Sequence, residues 1–310
     1  MKIALLGGNG FAGRNIAEIL TENNIQYEAT SLLMGTDLRD VSQAVAFLEK
    51  VQPDFIINCA AHVGSLNYVT EKAADVVSDN SRMILGMYEA AAKVCPKAII
   101  INPIANCAYP ATANTFLEDE WWNGHLHRSV LSYGVTRRLL WAVGECYLMQ
   151  YGMKSIHLLV PNMYGPYDST DPNKAHALNA LISKFVKAEN TSQPEIEIWG
   201  TGVAIREWLY AKDFARIVLQ VIQNDELQNI ESPLNIAQNS GLSVKELVEI
   251  IKNNFKYSGQ IVWNHNKPDG APKKVMDDTN FRQVFPDFEF TPFQDGINKT
   301  ISYYQSVYPY

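Results

Sequence analysis

The sequence predicts an α/β fold, in which a doubly wound parallel sheet is followed by a smaller lobe that interleaves with it. Up to about residue 165, short apolar runs alternate with longer stretches of helical periodicity, as in a parallel sheet. Beyond that point the chain becomes polar and rich in turn residues. At 310 residues it is longer than a typical single domain. We therefore expect one domain over residues 1–165 and a smaller lobe over residues 166–310.

The strands of the first domain are predicted from apolar runs that end in polar or turn residues. Five such runs occur, at residues 2–7, 27–33, 54–61, 98–105 and 155–165. The stretches between them have apolar residues near helical spacing. Helices are predicted to start at Phe11, to cover about Val41–Val51 and Val77–Ala92, and to run from about Tyr133 to Gln150. Strand and helix thus alternate along the whole first domain.

The second lobe contains one strand and two helices with clear signals. Residues 195–202 alternate between apolar and polar side chains, which predicts a strand, and residues 177–188 have helical spacing. Ser243 and Glu246 are three residues apart, as in a capping box, and open a further helix. Residues 266–274 contain proline, glycine and three lysines, and we interpret them as a loop.

The charge composition argues against some classes of partner. The chain has 26 Lys and Arg residues against 33 Asp and Glu residues, a formal net charge of -7 at pH 7. No block of five like charges occurs, so neither nucleic acid nor an anionic membrane surface is expected as the main partner. An anionic ligand must therefore meet local cations or backbone N–H groups.

Signals for targeting, membrane insertion and metal binding are weak or missing. The N-terminal apolar run is too short for a signal peptide, and no run approaches the ~20 apolar residues of a membrane span. Four cysteines form no C-x-x-C pair, and the histidines lack metal-ligand spacing. We expect a reduced, cytoplasmic protein without a membrane segment and without a metal. The cysteines are Cys59, Cys95, Cys107 and Cys146.

A glycine-rich turn follows the first predicted strand. Gly7, Gly10 and Gly13 recur every three residues and lead into the first predicted helix. Glycine suits positions where a turn is tight, where backbone approaches a pyrophosphate and where the helix packs on the strand. The N-terminus of that helix would face the phosphates. The motif therefore predicts a Rossmann-type domain that binds a nicotinamide dinucleotide.

The end of the second predicted strand bears on the choice between NAD and NADP. An acidic residue there would bind the ribose 2′-hydroxyl of NAD, and basic residues would accept the 2′-phosphate of NADP. Residues 31–34 offer neither, and Asp37 with Leu38 is a candidate for the adenine edge. The missing acid favours NADP over NAD, whereas the missing arginine leaves NADP without direct support.

Several motifs together resemble the extended short-chain dehydrogenase/reductases. These are the glycine turn, Tyr133 four residues before a cation in SYGVTRR, PNMYGP at 161–166 and REWLYAKDF at 206–214. Further stretches across the whole chain resemble the GDP-L-fucose synthases, epimerase–reductases of GDP-4-keto-6-deoxy-D-mannose. The most specific are NCAYP (106–110), NKAHALNALI (173–182), IWGTGVAIREWLY (198–210) and NKPDGAPKKVMD (266–277).

The resemblance implies a reductase triad of serine, tyrosine and lysine. Tyr133 falls on the tyrosine, but Arg137 falls on the lysine and Ala105 on the serine. Arginine can hold the nicotinamide ribose and lower the pKa of the tyrosine, yet its own pKa above about 12 prevents ready proton transfer. The amide of Asn106 could take the place of the missing hydroxyl. The triad thus departs from the family pattern at two positions.

The resemblance also implies an epimerase pair that moves protons at C3 and C5 of the sugar. A 4-keto group acidifies the hydrogens on adjacent carbons, so inversion needs one group to remove a proton and another to return one on the opposite face. Cys107 and His176 fall on the two positions. Taken alone, Cys107 is typical of a small buried hydrophobe and His176 of a solvated loop. Because both lie in family-matched stretches, we favour the catalytic interpretation.

The resemblance further implies which residues contact the ligands, and a GDP-linked sugar as substrate. Arg206 falls on the residue that contacts the diphosphate, Trp199 lies near the same ligand, and Asp269 and Lys274 lie in a loop that closes over the nucleotide. Additional cofactor contacts fall on Phe11, Ala60, Ala61 and Asn162.

The altered triad leaves three functions open. The first is an epimerase–reductase in which Arg137 and Asn106 partly substitute for the missing groups. The second is a related nucleotide-sugar enzyme that epimerises with weak or absent hydride transfer, and the third is a non-catalytic nucleotide-binding or cofactor-binding protein. The retained Cys107 and His176 count against the third. A homodimer is expected by resemblance, through helices at about 77–92 and 136–150.

Overall fold

The computed structural model describes residues 1–113, 115–171, 174–230, 232–255, 257–267 and 269–310. Its largest element is a six-stranded sheet in which every neighbouring pair is parallel. The predicted parallel α/β sheet is thereby confirmed. In spatial order the strands are β10 (Leu234–Asn235), β5 (Ser155–Val160), β4 (Ile99–Ala105), β3 (Phe55–Asn58), β1 (Ile3–Leu6) and β2 (Glu28–Thr30).

Helices cover both faces of this sheet. Because both faces are buried, the central strands are continuously apolar rather than alternating. The short helix α3 (Leu66–Glu71) precedes the first of the two long helices. One face is covered by α2 (Val41–Val51), α4 (Ala73–Val94) and α5 (Leu131–Tyr151), and the other by α1 (Phe11–Glu22) and α7 (Ala211–Gln223).

Three strands, β2, β3 and β5, are clearly shorter than the apolar runs indicate, and β3 covers only Phe55–Asn58 of the predicted residues 54–61. Strand β2 ends at Thr30 because the Ser31 hydroxyl accepts a hydrogen bond from the Met34 N–H at 3.2 Å and caps a 3₁₀ turn. Gly35, with φ +94°, then closes that turn. The fifth run is divided at Pro161, which has no N–H for a sheet ladder. Its second part forms the separate strand β6 (Asn162–Tyr164).

The second lobe has its own apolar core, which lies between the helices α6 (Ala177–Thr191), α8 (Val244–Phe255) and α10 (Phe293–Ser306) and the strand β7 (Glu195–Trp199). The predicted capping box is confirmed, since the Ser243 N–H donates to Glu246 at 2.8 Å and the Glu246 N–H donates to Ser243 at 3.2 Å. The elements are α6 (Ala177–Thr191), β7 (Glu195–Trp199), β8 (Ile205–Arg206), β9 (Trp208–Tyr210), β11 (Leu242–Ser243), α8 (Val244–Phe255), β12 (Gln260–Asn264), β13 (Lys273–Lys274), α9 (Thr279–Val284) and α10 (Phe293–Ser306).

Two elements that follow residue 165 return to the first sheet. Helix α7 packs against α1, and β10 pairs with the outer edge of β5. Asn235 in β10 also joins the loop after β4: it accepts from the Tyr109 hydroxyl at 2.7 Å, and its N–H donates to Glu118 at 3.0 Å. The interleaving expected from the sequence is therefore confirmed, although neither α7 nor β10 was predicted as an element.

Candidate active site

A cleft of about 480 Å³ opens where the carboxyl ends of the central strands meet the second lobe. Strands β2 and β3 lie on opposite sides of β1, so the order of the strands reverses at β1. The cleft lies beside this topological switch point. Ligands of open α/β sheets bind outside such points. One wall comes from the ends of β3, β4 and β5, and the other from Arg206, Trp208 and residues 269–271.

The glycine turn borders one end of this cleft. Gly7 has φ +75°, and a Cβ on Gly13 would lie 2.2 Å from the carbonyl oxygen of Gly7. Gly10 is different: its nearest neighbour would be that same oxygen at 3.3 Å, and Gly10 lines the cleft. Gly7 and Gly13 are thus required by the backbone, whereas Gly10 leaves room beside the N-terminus of α1. This arrangement fits the pyrophosphate of a dinucleotide.

A second pocket, of about 360 Å³, adjoins the cleft across Gly10. It is lined by Asp37 and Leu38, as predicted for the adenine end, and also by Arg39, which the sequence did not single out. The Arg39 guanidinium donates to Asp37 at 2.8 Å and to Asp79 at 3.0 Å. Asp37 first, and then Asp79, raise the pKa of Arg39. The pocket therefore contains a guanidinium held between two carboxylates.

Tyr133 and Arg137 lie one turn apart on α5 and both line the cleft. The Arg137 guanidinium carbon is 4.8 Å from the centre of the Tyr133 ring, and its Nη2 donates to Asn80 at 3.2 Å. Arg137 is only 3% exposed, and its Nε has no partner among the described residues. Burial raises the pKa of Tyr133, and the charge of Arg137 opposes that rise. The arginine is thus a fixed cation against the phenol.

Ala105, the last residue of β4, and Asn106, which follows it, line the same cleft. Ala105, at the position where the resemblance implies a serine, offers no side-chain hydroxyl to the cleft. Asn106 is 5% exposed, and its Nδ2 is buried without a partner in the described structure. An unsatisfied buried donor costs about 1–3 kcal/mol, so a ligand acceptor is expected at this amide.

Cys107 follows Asn106 and also lines the cleft. Burial raises the pKa of the Cys107 thiol, while the charges of Lys274 and then Arg137 oppose the rise. The thiol is therefore held neutral by its surroundings, with two cations placed to stabilise a thiolate.

His176 reaches the cleft from the residue that precedes α6. Its Nδ1 lies 3.1 Å from Asp168 Oδ1, and its ring centre is 5.3 Å from that of Phe11. Burial alone would lower the pKa of His176, but the charge and hydrogen bond of Asp168 outweigh it and raise the pKa. Sequence reasoning missed Asp168, although a carboxylate in the matched stretch VPNMYGPYD was a signal for it.

Arg206 and Lys274 lie side by side on the paired strands β8 and β13. Arg206 donates to the carbonyl oxygens of Ile205 at 2.8 Å and Asp269 at 3.0 Å. Burial lowers the pKa of both residues, and the charge of Arg206 lowers that of Lys274 further. No ion pair between described residues includes either one. Two adjacent, unpaired, partly buried cations form an anion site.

The remaining predicted substrate residues are placed differently. Asp269 accepts the N–H and the hydroxyl of Thr201, both at 2.7 Å, so its carboxylate fastens the 269–271 segment to the turn after β7. Trp199 is 47% exposed and does not line the cleft. Its ring instead lies 4.8 Å from the ammonium of Lys267.

Glu207, between two cleft residues, is fully buried and was not singled out from the sequence. Its carboxylate accepts the N–H groups of Gln238 at 2.6 Å and Met276 at 2.8 Å. Burial raises the pKa of Glu207 to about 7. Its backbone oxygen accepts from Asn162 at 3.2 Å. Glu207 therefore ties the segments after β10 and β13 to the strand that carries Arg206.

The structure brings most of the predicted site residues into two adjoining pockets. Gly13 and Trp199 line neither pocket. Gly7, Asp37 and Leu38 line the smaller one, and Gly10, Ala60 and Ala61 line both. The cleft itself is also lined by Phe11, Asn106, Cys107, Tyr133, Arg137, Asn162, His176, Arg206, Asp269 and Lys274.

The described part of the chain contains no group of three His, Cys, Asp or Glu side chains that could hold a metal ion. No helix in that part is both long and apolar enough to cross a membrane. All four cysteines are free thiols.

The glycine turn, the tyrosine–cation pair and the neighbouring anion site define a dinucleotide-dependent enzyme that acts on an anionic ligand. The sequence pattern of the NAD dependent epimerase/dehydratase family matches residues 3–237, and the chain belongs to that family.

Similar proteins cover nearly the whole chain. A probable GDP-L-fucose synthase 1 of Oryza sativa is 27% identical over 304 residues, covering 98% of this chain and 92% of the relative. A GDP-L-colitose synthase of Yersinia pseudotuberculosis is 28% identical, covering 98% of each. A GDP-L-fucose synthetase of Naegleria fowleri bound to NADP has a TM-score of 0.88 at 24% identity, covering 99% of this chain and 94% of that one. The structural likeness confirms the fold.

The glycine turn generates a prediction about stability. Gly13→Ala should lower the free energy of unfolding by about 3 kcal/mol, because the added Cβ meets backbone that cannot move away. Gly10→Ala is the matched control and should cost clearly less, since its Cβ would lie 3.3 Å from the Gly7 carbonyl oxygen, a tight contact that a small shift relieves. Urea unfolding followed by circular dichroism measures both. Equal losses in the two variants would contradict the packing account.

Proposed function

We propose that this protein is a nucleotide-sugar epimerase–reductase that acts on a GDP-4-keto-6-deoxy-sugar. It would epimerise C3 and C5 and reduce the 4-keto group with NADPH. The observation that supports this most directly is one cleft containing a thiol, an imidazole and two unpaired cations, next to a tyrosine–cation pair. The names of the Oryza and Yersinia relatives support GDP as the nucleotide and a deoxy sugar as its partner.

The cations Arg206 and Lys274 would bind the diphosphate. Arginine offers a planar fork that matches phosphate oxygens, and lysine adds a compact charge. Because a partly buried charge without a partner costs free energy, the burial of Arg206 and Lys274 favours the binding of an anion beside them. Asp269 would contribute by keeping its segment against the turn after β7, and Trp199 would meet the nucleotide only from the exposed rim.

The proton transfers would use Cys107 and His176 in different roles. Asp168 favours the charged imidazolium, so His176 suits the group that returns a proton. An imidazolium cannot accept one, so proton removal would fall to Cys107, whose neutral thiol must first lose its own proton to solvent to form the thiolate. Lys274 and Arg137 stabilise that thiolate against the effect of burial. Removal forms an S–H bond and breaks a C–H bond, and return breaks the imidazolium N–H bond to form the inverted C–H bond.

The reduction would rely on Tyr133, Arg137 and Asn106. The bound nicotinamide supplies the hydride when the cofactor is present. Tyr133 would donate a proton to the developing alkoxide, assisted by the positive charge of Arg137 against its ring. The unpartnered Nδ2 of Asn106 would donate the hydrogen bond that the family's serine hydroxyl provides. Asn162, Phe11, Ala60 and Ala61 would border the nicotinamide half of the cofactor.

For the cofactor, we propose NADPH rather than NADH. The end of β2 bears no carboxylate to select the 2′-hydroxyl, and Arg39 gives the adjoining pocket a guanidinium. Two solved neighbours, from Naegleria fowleri and Campylobacter jejuni, hold NADP. Because Asp37 and Asp79 already pair with Arg39, we expect a modest preference.

We also propose a cytoplasmic homodimer with a cofactor domain over residues 1–165 and a substrate lobe over 166–310. Helices α4 and α5 leave Leu85, Leu148 and Met149 exposed, at 50%, 42% and 78%, and these side chains suit a helix-to-helix contact between two copies. The four free thiols are in keeping with a reducing compartment.

The direct test is incubation with GDP-4-keto-6-deoxy-D-mannose in deuterated water, with and without NADPH. We expect deuterium to enter the sugar by NMR and NADPH fluorescence to fall. Cys107→Ser should abolish the exchange, because a hydroxyl is a far weaker acid than a thiol and forms its anion much less readily, while Cys146→Ser, an exposed thiol, should not. Exchange without NADPH loss would indicate an epimerase alone. Neither signal, with this substrate, would reject the proposal.

The altered triad gives a second prediction. Arg137→Lys combined with Ala105→Ser should raise single-turnover hydride transfer by about tenfold or more, because it restores a second hydrogen-bond donor and a proton-passing cation. NADPH fluorescence measures the rate, and deuterium exchange serves as the control that should stay within twofold. No gain in the double variant would show that the two departures do not limit reduction.

The cofactor choice gives a third prediction. Arg39→Gln should weaken NADPH binding by about tenfold while changing NADH binding by less than threefold, because only the 2′-phosphate needs the guanidinium. Titration of cofactor fluorescence measures both dissociation constants. Lys50→Gln, a cation on the surface of α2 that does not line the pocket, is the control. An equal loss for both cofactors would remove Arg39 from 2′-phosphate recognition.

A further inference from the structure

The carboxylate that fixes His176 belongs to Asp168, which lies in the loop before α6 and is hydrogen-bonded to the start of that helix. Asp168 is 6% exposed, although the segment around it is polar. Its Oδ2 accepts the His176 N–H at 2.8 Å and the Asn179 Nδ2–H at 2.7 Å, while its Oδ1 faces His176 Nδ1 at 3.1 Å. One carboxylate thus holds both the backbone and the ring of the histidine. Nε2 remains the ring nitrogen without a hydrogen bond to a described residue.

The backbone that presents Asp168 is anchored from several directions. Asn179 of α6 accepts the Gly165 N–H at 3.2 Å, and Asn15 of α1 donates to the Pro166 carbonyl at 3.0 Å. Tyr304 of α10 donates to the Ser169 carbonyl at 3.0 Å. Between these anchors Tyr167 has φ +72°, a left-handed conformation that is unfavourable for this residue type. Such strain persists only where surrounding contacts impose it, and it is concentrated at functional sites.

The charges around His176 come chiefly from Asp168. Helix α1 presents the uncharged ring of Phe11, and Tyr304 of α10 lies near Asp168 and has a pKa raised chiefly by burial. Across the cleft stand Cys107, Tyr133 and the cations Arg137, Arg206 and Lys274. Cations cannot favour an imidazolium, so the carboxylate is the group that maintains its charge. Burial would raise the pKa of Asp168, but the charge and hydrogen bonds of His176 lower it instead.

We infer that Asp168 is a positioning residue for the proton-donating histidine. It orients His176 through Nδ1 and the backbone N–H, keeps Nε2 directed to the cleft, and maintains the imidazolium at pH values where a free histidine is neutral. This inference rests on the proposed function. Its chemical content is that the proton delivered to the sugar leaves Nε2, and that Asp168 accepts no proton itself.

The test measures the pKa of His176 directly and then its effect on the reaction. The protein labelled with ¹³C-histidine is titrated by NMR, and the His176 signal is identified by its loss in His176→Gln. In Asp168→Asn, which keeps the shape of the side chain, the pKa should fall by at least one unit. Glu189→Gln removes the same charge from the exposed, far end of α6 and should leave the pKa of His176 unchanged. A wild-type His176 pKa at or below the ordinary value of about 6.5 would overturn the inference without any variant.

The pH profile of deuterium exchange provides the second readout. Exchange needs the imidazolium, so kcat/KM for Asp168→Asn should fall about tenfold for each unit of pKa lost at pH values above the wild-type pKa. The loss should vanish below the pKa of the variant, where both proteins are protonated. A uniform loss at all pH values, with an unchanged pKa, would mean that Asp168 only supports the fold. Urea unfolding of each variant monitors that contribution separately.

The two proposals fail in different ways. If wild-type protein shows no exchange but the NMR pKa is raised and depends on Asp168, the epimerase assignment fails and the positioning role stands. If exchange occurs and the pKa of His176 is the same in Asp168→Asn as in the wild type, the positioning role fails and the epimerase assignment stands.

Discussion

The direction of six strands is the constraint on which the rest of the structure depends. Because every pair is parallel, all carboxyl ends meet at one edge, and residues distant in the sequence arrive there together. Gly10 comes after β1, Ala60 after β3, Cys107 after β4 and Asn162 after β5. The edge of the sheet therefore supplies one wall of the cleft, to which α1 adds Phe11 and α5 adds Tyr133 and Arg137. The second lobe adds what a parallel sheet edge does not: a histidine on an approaching loop and two cations on short strands.

Buried charges in this acidic protein are of two kinds. Some are paired within the protein, as Asp168 is with His176. The attraction within such a pair offsets part of the desolvation cost whether or not a ligand is bound. Others, Arg206 and Lys274, form no ion pair with a described residue, although the charge of Asp269 acts on Arg206, so most of their desolvation cost is left for a bound anion to offset. Arg137 lies between these cases, held by an amide and an aromatic ring. The charge of His176 is thus balanced within the protein, whereas the charges of Arg206 and Lys274 would be balanced by a bound anion.

Sequence reasoning found the sheet and the glycine turn, and it named many of the residues that line the cleft, because these signals are local or follow motif positions. It missed Asp168, since a carboxylate among turn residues is usually solvated, and its burial requires both the next helix, α6, and α10, which is distant in the sequence. Arg39 was overlooked for the same reason, because only tertiary structure places it beside Asp79. Strand β10 has two residues, too few for a periodic signal. The altered triad was visible in the sequence, but the contact of Arg137 with Asn80 required the fold.

The pairing of β10 with β5 has a consequence for how the chain folds during synthesis. Strand β5 leaves the ribosome well before Leu234 and Asn235, so its outer edge stays unpaired while the α6 and α7 segments are made. The buried Glu118 carboxylate and the Tyr109 hydroxyl are made before β5 and therefore remain without Asn235 for longer still. An open strand edge invites association between nascent chains. The first domain is therefore completed by the second, and translation speed through residues 166–235 sets how long that edge is exposed.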